Sequence, residues 1–263
     1  MTTPVQGIPY YFTRRGEGFL PSGLAKNPWF DNAVAGGPIA SLIATIIEEA
    51  QFDPAFEICR VSIDILGIVP REVLVPRIKP VRHGKQAQLH RIELLAGDRV
   101  VTQAHVLRAR TLDTPEHPAA HNYPDPDSLK ETQYLIGAQM AGAIRSKGVS
   151  GKVREPGRGI VWLTMSGEVV QGKATSPFVK ACLFADFGNG VGSATFHNEW
   201  SFANLDITIQ FFRMPRGEWL LIDAHTEGGG NGHALAQSTF ADRDGVYAKG
   251  TQTIFVAPSQ RTD

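Results

Sequence analysis

Cysteine is scarce in this sequence, which contains 2 cysteines in 263 residues, Cys59 and Cys182. Both lie within apolar segments. Two isolated cysteines supply neither a disulfide framework nor the ligand set of a zinc site, so we expect reduced thiols packed as small apolar side chains. Because reduced thiols are typical of the cytoplasm, the sequence predicts a cytoplasmic protein.

An excess of charge of either sign is also missing. The chain has 26 Lys and Arg residues against 26 Asp and Glu residues, which gives a formal net charge of +0 at pH 7. No long-range field therefore attracts nucleic acid or an acidic membrane. The sequence also lacks a secretory signal at its start and an apolar run of membrane-spanning length. We expect a small-molecule partner, no nucleic acid and no membrane, and leave open whether chains form a homo-oligomer.

Several catalytic motifs are absent as well. There is no G-x-S-x-G elbow to carry a nucleophilic serine, and none of the 8 histidines belongs to an H-E-x-x-H zinc motif. The glycine-rich run 228–232 is not followed by G-K-[ST], so it predicts a turn and not a phosphate loop. We expect neither a metal site nor a redox cofactor.

One pattern is present twice. After Gly36-Gly37-Pro38, apolar residues recur at helical spacing, and strand-like runs then continue to about residue 109. After Thr175-Ser176-Pro177, a second helical pattern is followed by strand-like runs to about residue 256. Proline suits the first turn of a helix, where no amide donor is lost. When the two prolines are superposed, Asp186 falls at the position of Ile47.

The repeat predicts two α+β modules, each with a central helix wrapped by a curved antiparallel sheet, packed as a pseudo-dimer. We expect the N-terminal module in residues 1–110, a proline-rich linker with a short helix (128–144) in residues 111–150, and the C-terminal module in residues 151–263. The predicted elements of the first half are strands 9–20, 58–68, 73–82, 86–95 and 99–109 and helix 38–50. Those of the second half are strands 159–170, 203–212, 218–227, 232–241 and 246–256 and helix 176–187.

Two polar residues stand on apolar faces in the second half. Asp186 continues the helical stripe of Val179, Cys182 and Leu183, and Gln252 shares a strand face with small and aliphatic residues between 246 and 256. Buried polar groups on facing elements need hydrogen-bond partners, and a shared water can serve both. The alternative is structural: Asp186 caps or ion-pairs at a helix end, while Gln252 bonds to backbone.

The second half resembles the TesB-like acyl-CoA thioesterase family of double hot-dog proteins in the thioesterase-like superfamily. The similarity lies in Phe184-Ala185-Asp186, in the run from Asn204-Leu205-Asp206 to Phe211-Phe212-Arg213-Met214-Pro215, in Glu218-Trp219-Leu220-Leu221, and from Asp244-Gly245 to Thr251-Gln252. The order of strand, helix and four strands matches the hot-dog plan over nearly the whole chain. The resemblance implies a tandem hot-dog fold and hydrolysis of acyl-CoA.

In that family an Asp, a Thr and a Gln hold the attacking water, and the resemblance carries these roles to Asp186, Asn204 and Gln252. Asn204 replaces the family's Thr, and its amide can still hydrogen-bond a water. From strand alternation, however, Asn204 groups with Asp206 on a polar face, which allows a solvent-facing strand start instead.

A backbone N–H near a helix start would polarise the thioester carbonyl. Gly36 and Gly37 beside the first helix are candidate substrate-binding residues, and the loop before Pro177 is the other location for such a donor. The alternative is that this pair only makes a tight turn. The sequence therefore predicts an acyl-CoA thioesterase of fatty acid metabolism that uses an Asp- and Gln-positioned water, with coenzyme A only as part of the substrate. Two alternatives are a non-catalytic acyl-CoA or lipid binder and, second to it, an enoyl-thioester hydratase or dehydratase.

Overall fold

The computed structural model of the chain describes residues 8–28, 30–132, 143–152, 155–196 and 199–259. Each half has a helix and a set of strands. The first half contains β1 (Tyr10–Arg15), β2 (Gly18–Pro21), α1 (Gly36–Glu49), β3 (Phe56–Ile65), β4 (Leu74–His83), β5 (Ala87–Ala96) and β6 (Arg99–Arg110). The second contains β7 (Ile144–Ser150), β8 (Gly159–Met165), β9 (Glu168–Val170), α2 (Pro177–Ala185), α3 (Gly188–Val191), β10 (Trp200–Asn204), β11 (Asp206–Phe211), β12 (Leu220–Gly228), β13 (His233–Asp242) and β14 (Gly245–Pro258).

The strands form one sheet in the order β7-β8-β12-β13-β14-β11-β3-β6-β5-β4-β2-β1-β9, with β10 pairing to β14 outside this path. The two halves repeat the same order, with the opening strand at one side and the first strand after the helix at the other. They join where β11 pairs antiparallel with β3, Thr208 lying opposite Ser62, and again where β9 pairs parallel with β1, Glu168 lying opposite Tyr10. This arrangement confirms the predicted α+β tandem hot-dog fold.

The helices lie together on one face of the sheet. The α1 residues from Gly37 to Ile47 are all buried, as expected for a helix that is apolar around its whole circumference. A Cβ atom added to Gly37 would lie 3.1 Å from the Leu183 side chain and 3.2 Å from the Phe187 ring. The missing side chain therefore lets the start of α1 approach the end of α2 closely.

Most predicted elements are confirmed within a few residues, but three details differ. Each predicted opening strand is two strands, β1 with β2 and β8 with β9. The predicted strand 203–212 is interrupted at Leu205, between β10 and β11. The pairing with β14 shifts by one residue there, since Asn204 lies opposite Ile254 but Thr208 lies opposite Thr251, and the Asp206 carboxylate accepts the Thr253 N–H at 2.7 Å. The predicted helix 128–144 is wrong at its end, since Ile144 begins β7; residues 133–142 lie outside the described residues.

Residues 111–125 of the proline-rich segment form neither helix nor strand, and side chains of the second half hold the segment in place. The Trp162 Nε1–H donates to the Pro124 carbonyl at 3.0 Å, and the Lys147 ammonium donates to the Pro126 carbonyl at 2.7 Å. The Tyr123 hydroxyl donates to the Asp223 carboxylate at 2.8 Å. In the described part of the chain, no helix is long and apolar enough to cross a lipid bilayer.

Candidate active site

Asp186 stands at the end of α2 and not within it. The helix begins at a Ser176 cap, whose hydroxyl accepts the Val179 N–H at 3.1 Å, with Pro177 in the first turn. It ends at Ala185, and Asp186 is the C-cap residue. The predicted helix 176–187 thus ends two residues early, and the short helix α3 follows it. The Asp186 carboxylate faces the start of α1.

The first turn of α1 lies directly against the Asp186 carboxylate. A Cβ atom on Gly36 would stand 2.2 Å from Asp186 Oδ1, so only glycine leaves room for the carboxylate here. The Gly37 backbone N–H lies near the same carboxylate and helps to lower its pKa. Because Pro38 has no N–H and the Ile39 N–H bonds to Ala35, Gly36 and Gly37 are the residues of this turn whose N–H groups can meet an anion.

Asn204 and Gln252 bind Asp186 from the sheet. The Asn204 amide donates to the Asp186 backbone carbonyl at 3.0 Å and to Oδ1 at 2.5 Å. The Gln252 amide donates to the same carbonyl at 2.7 Å, and its side chain is 2% exposed. The interruption at Leu205 lets Asn204 face the helices, so its predicted grouping with Asp206 on the polar face is wrong. The structure thus brings Gly36, Gly37 and the three predicted polar residues together.

The side-chain amides of Asn204 and Gln252 each retain an oxygen that can accept a hydrogen bond. Asn204 Oδ1 and Gln252 Oε1 are buried and have no hydrogen-bond partner among the described residues. Gly188 borders the second of them, since a Cβ atom there would lie 2.3 Å from Gln252 Oε1. A buried acceptor needs a donor, and a water has two O–H groups and can also bond to a carboxylate. The Gln252 amide does bond to backbone, as the structural alternative states, but this leaves its carbonyl oxygen free.

Burial dominates the electrostatics of Asp186. Removal of the carboxylate from water raises its pKa from 3.8 to about 6, against the opposing effects of the Asn204 amide and the Gly37 N–H. A carboxylate with this pKa is ionised at neutral pH and basic enough to accept a proton. Among the described residues, no three His, Cys, Asp or Glu side chains are grouped so that they could hold a metal ion.

Tyr11 is a neighbour of the site that sequence reasoning missed. Its side chain, on β1, is 2% exposed. Burial and, to a smaller extent, the negative charge of Asp186 raise the pKa of the Tyr11 hydroxyl above its usual range. The sequence gives no signal for this proximity, because Tyr11 reads as an ordinary apolar strand residue until β1 is placed beside α1.

Comparison with known families identifies the family of the chain. The acyl-CoA thioesterase N-terminal domain matches residues 25–109, and the acyl-CoA thioesterase C-terminal domain matches residues 113–256. The chain belongs to the acyl-CoA thioesterase family. This confirms the predicted resemblance, and the protein is a thioesterase. No curated protein matches this thioesterase in sequence.

Solved structures share the fold of this thioesterase at low sequence identity. A conserved hot-dog protein of unknown function from Alicyclobacillus acidocaldarius is 13% identical, with a TM-score of 0.76 over 95% of this chain and 96% of that one. The tesB protein of Mycobacterium avium subs paratuberculosis is 16% identical, with a TM-score of 0.69 over 94% and 96%. Acyl-CoA thioesterase II TesB2 of Mycobacterium marinum is 17% identical, with a TM-score of 0.66 over 87% and 92%.

Proposed function

We propose that this thioesterase hydrolyses acyl-CoA to a free acid and coenzyme A by attack of a water held by Asp186, Asn204 and Gln252. The observation that carries the proposal is the pairing of a basic carboxylate with two buried, unpartnered amide oxygens. The carboxylate pKa of about 6 supports the role of base. Asn204 Oδ1 and Gln252 Oε1 supply acceptors for a water hydrogen.

In this mechanism one O–H of the water points to the Asp186 carboxylate and the other to an amide oxygen of Gln252 or Asn204. The water oxygen attacks the thioester carbonyl carbon while Asp186 accepts the proton. The carbon–sulfur bond then breaks, the acid is released, and the proton on Asp186 passes to the departing thiolate of coenzyme A. Atoms and charge balance without a metal or redox cofactor, and coenzyme A enters only as part of the substrate.

The start of α1 would stabilise the oxyanion that forms on the carbonyl. Gly36 and Gly37 present backbone N–H groups at the positive end of a 14-residue helix, which is α1. Neither residue has a side chain to keep the substrate away. We infer that these N–H groups donate to the oxyanion, and that the Gly37 N–H also favours the ionised form of Asp186.

We place the reaction in the cytoplasm and in fatty acid metabolism. The first inference is supported by the two free cysteines, of which Cys182 is buried. The second is supported by the acyl-CoA thioesterase domains that match both halves of the chain.

A non-catalytic acyl-CoA binder is the second candidate, and one observation favours it. The Asn204 amide donates to Oδ1 of Asp186 at 2.5 Å and so occupies an oxygen that a water could use. The shorter hydroxyl side chain of the family's Thr would leave more room at this position.

The decisive experiment measures free thiol released from acyl-CoAs of increasing chain length, with wild-type protein and Asp186→Asn. We expect turnover by the wild type and a loss of about a thousandfold in kcat for the variant, because the base is removed without a change of shape. Binding of acyl-CoA with no thiol release at any length would favour the non-catalytic binder. Equal turnover by both proteins would reject Asp186 as the base.

A further inference from the structure

The sheet face opposite the helices carries a groove of about 700 Å³ in the second half of the chain. Its lining includes Thr208, Gln210, His225, Gln237, Lys249 and Thr251. Successive strand residues point to opposite faces. Thr251 therefore faces the groove, while Gln252 faces Asp186. The groove lies behind the candidate active site, with one thickness of sheet between them.

The charges in the groove do not cancel. Asp223 is 5% exposed. Its two carboxylate oxygens accept hydrogen bonds from the Arg158 guanidinium at 2.6 Å and 2.5 Å, and one of them also accepts the Tyr123 hydroxyl at 2.8 Å. Its negative charge is therefore already matched. No carboxylate of the described residues forms an ion pair with Lys249. The lining therefore retains one uncompensated positive charge.

A second cationic residue adjoins the groove. Arg60 lies directly opposite Gln210 where β3 pairs with β11, and opposed residues share a sheet face. Its Nε is buried and has no acceptor among the described residues. Arg60 and Lys249 lie opposite Gln210 on its two neighbouring strands. A buried N–H donor without an acceptor, in the same row of the sheet as an uncompensated ammonium group, favours an anion as the ligand.

We propose that this groove is a second ligand site that binds a phosphate ester of a small molecule. Lys249 would pair with the phosphate, and the hydroxyl and amide groups of Thr208, Thr251 and Gln237 would bond to its oxygens and to the polar part of the ester. The volume, about 700 Å³, is typical of sites for small organic ligands and exceeds what a free ion needs. Binding here is separate from thioester hydrolysis and does not rest on it.

Titration calorimetry of the full chain with inorganic pyrophosphate at low ionic strength tests the proposal. We expect one site per chain and at least tenfold weaker binding for Lys249→Ala. Lys79→Ala, which removes an exposed lysine from β4 in the other half of the sheet, is the matched control and should bind like the wild type. Absence of binding, or equal binding by Lys249→Ala and wild type, would overturn the proposal.

Two further arms separate the site from the thioesterase centre and identify the source of the phosphate. Asp186→Asn should bind pyrophosphate normally, and a loss of binding in this variant would place the anion at the active site instead, against the proposal. Competition with coenzyme A then identifies the source of the phosphate. Displacement of pyrophosphate by coenzyme A indicates that the groove binds the phosphates of coenzyme A. Pyrophosphate that stays bound indicates that the ligand is another phosphate ester. Either competition result supports a phosphate site in the groove, provided that binding depends on Lys249.

Discussion

The two halves of the sheet place different residues at corresponding positions. The pairing of β13 with β14 shifts at a bulge beside Ala248, and Gln252 lies four residues after Ala248. The matching bulge between β5 and β6 lies beside Thr102, and Val106 lies four residues after Thr102. The counterpart of Gln252 is therefore Val106, just as the counterpart of Asp186 is Ile47.

Asn204 follows the same rule. Asn204 pairs with Ile254, which lies two residues after Gln252. Ile58 pairs with Arg108, which lies two residues after Val106. The three polar residues of the second half thus correspond to Ile47, Ile58 and Val106 in the first. Since the first half folds with aliphatic residues there, the hot-dog scaffold does not require polar groups at these positions. A departure from the apolar pattern that the fold does not need indicates a functional site.

Among variants that keep the Asp186 carboxylate, the largest effect should come from filling the space between the halves. Gly36→Ala places a Cβ atom 2.2 Å from Asp186 Oδ1 and must displace the carboxylate or the helix start. We expect kcat to fall about a hundredfold or more in a thiol-release assay, as when an oxyanion donor is lost. Gly23→Ala, where no atom lies within 4 Å, is the matched control. If both variants kept full activity, the close approach would have no catalytic importance.

Asp186 and Ile47 should respond oppositely to substitution in unfolding experiments. The folded-state pKa of Asp186, about 6, lies above the ordinary value of 3.8, so ionisation costs stability as pH rises between these values. Asp186→Asn should raise the free energy of unfolding at pH 7 by on the order of 2 kcal/mol. In urea titrations this gain should vanish below about pH 4. Ile47→Val should instead lower stability by about 1 kcal/mol at both pH values.

Making the second half like the first should remove the water site without unfolding the protein. Gln252→Val copies Val106 and replaces a 2% exposed amide by an aliphatic side chain. We expect about a tenfold to thirtyfold loss in kcat at unchanged melting temperature, because one water acceptor is removed. The conservative Gln252→Glu variant should be less active than wild type at pH 8, since a second carboxylate beside Asp186 would raise the pKa of that group. Wild-type activity in Gln252→Val would refute the role of this amide.

The rate should follow the ionisation of Asp186. Since the base must be deprotonated and its pKa is about 6, kcat/KM should rise with pH up to about 6 and level off above it. At pH 5 we expect about a tenfold lower value than at pH 8. Circular dichroism at both pH values controls for unfolding, and a flat profile down to pH 4 would contradict the assignment.

Asn204→Thr should have the smallest effect. This variant restores the Thr that the TesB-like acyl-CoA thioesterase family has at this position, and it keeps a hydrogen-bonding side chain. We expect activity within about threefold of wild type, whereas Asn204→Ile, which copies Ile58, should lose about tenfold. Equal activities of the two variants, measured by thiol release, would show that the side chain at 204 does not contact the water.

The repeated fold was predictable because each element carries its own periodic signal. The helices were placed by the prolines and by apolar spacing, and the hairpins by glycine-rich turns such as 228–232, between β12 and β13. The interruption at Leu205 was not predictable, because it depends on a shift in the pairing with β14, a strand distant in sequence, whose Thr253 N–H donates to the Asp206 carboxylate. For the same reason, local alternation assigned Asn204 to the wrong face.

The site was predictable in its members and not in its contacts. Asp186 and Gln252 were recognised as polar residues in apolar patterns. Gln252 faces the helices, as its strand pattern predicts, but Asp186 lies at the C-cap of α2 and not within the helix. The close approach of Gly36 to Asp186 could not be read from the sequence, since it follows from the packing of α1 on α2. The proximity of Tyr11 depends likewise on tertiary packing.

The seam between β3 and β11 has a consequence for the integrity of the chain. Five residue pairs, from Asp206 with Asp64 to Gln210 with Arg60, close it by backbone hydrogen bonds. Each half made alone would present an open strand edge, which invites association. Co-expressed fragments divided in the proline-rich segment should therefore reassemble through this seam, and acyl-CoA turnover would report on a split enzyme, since Gly36 and Asp186 would then come from different polypeptides.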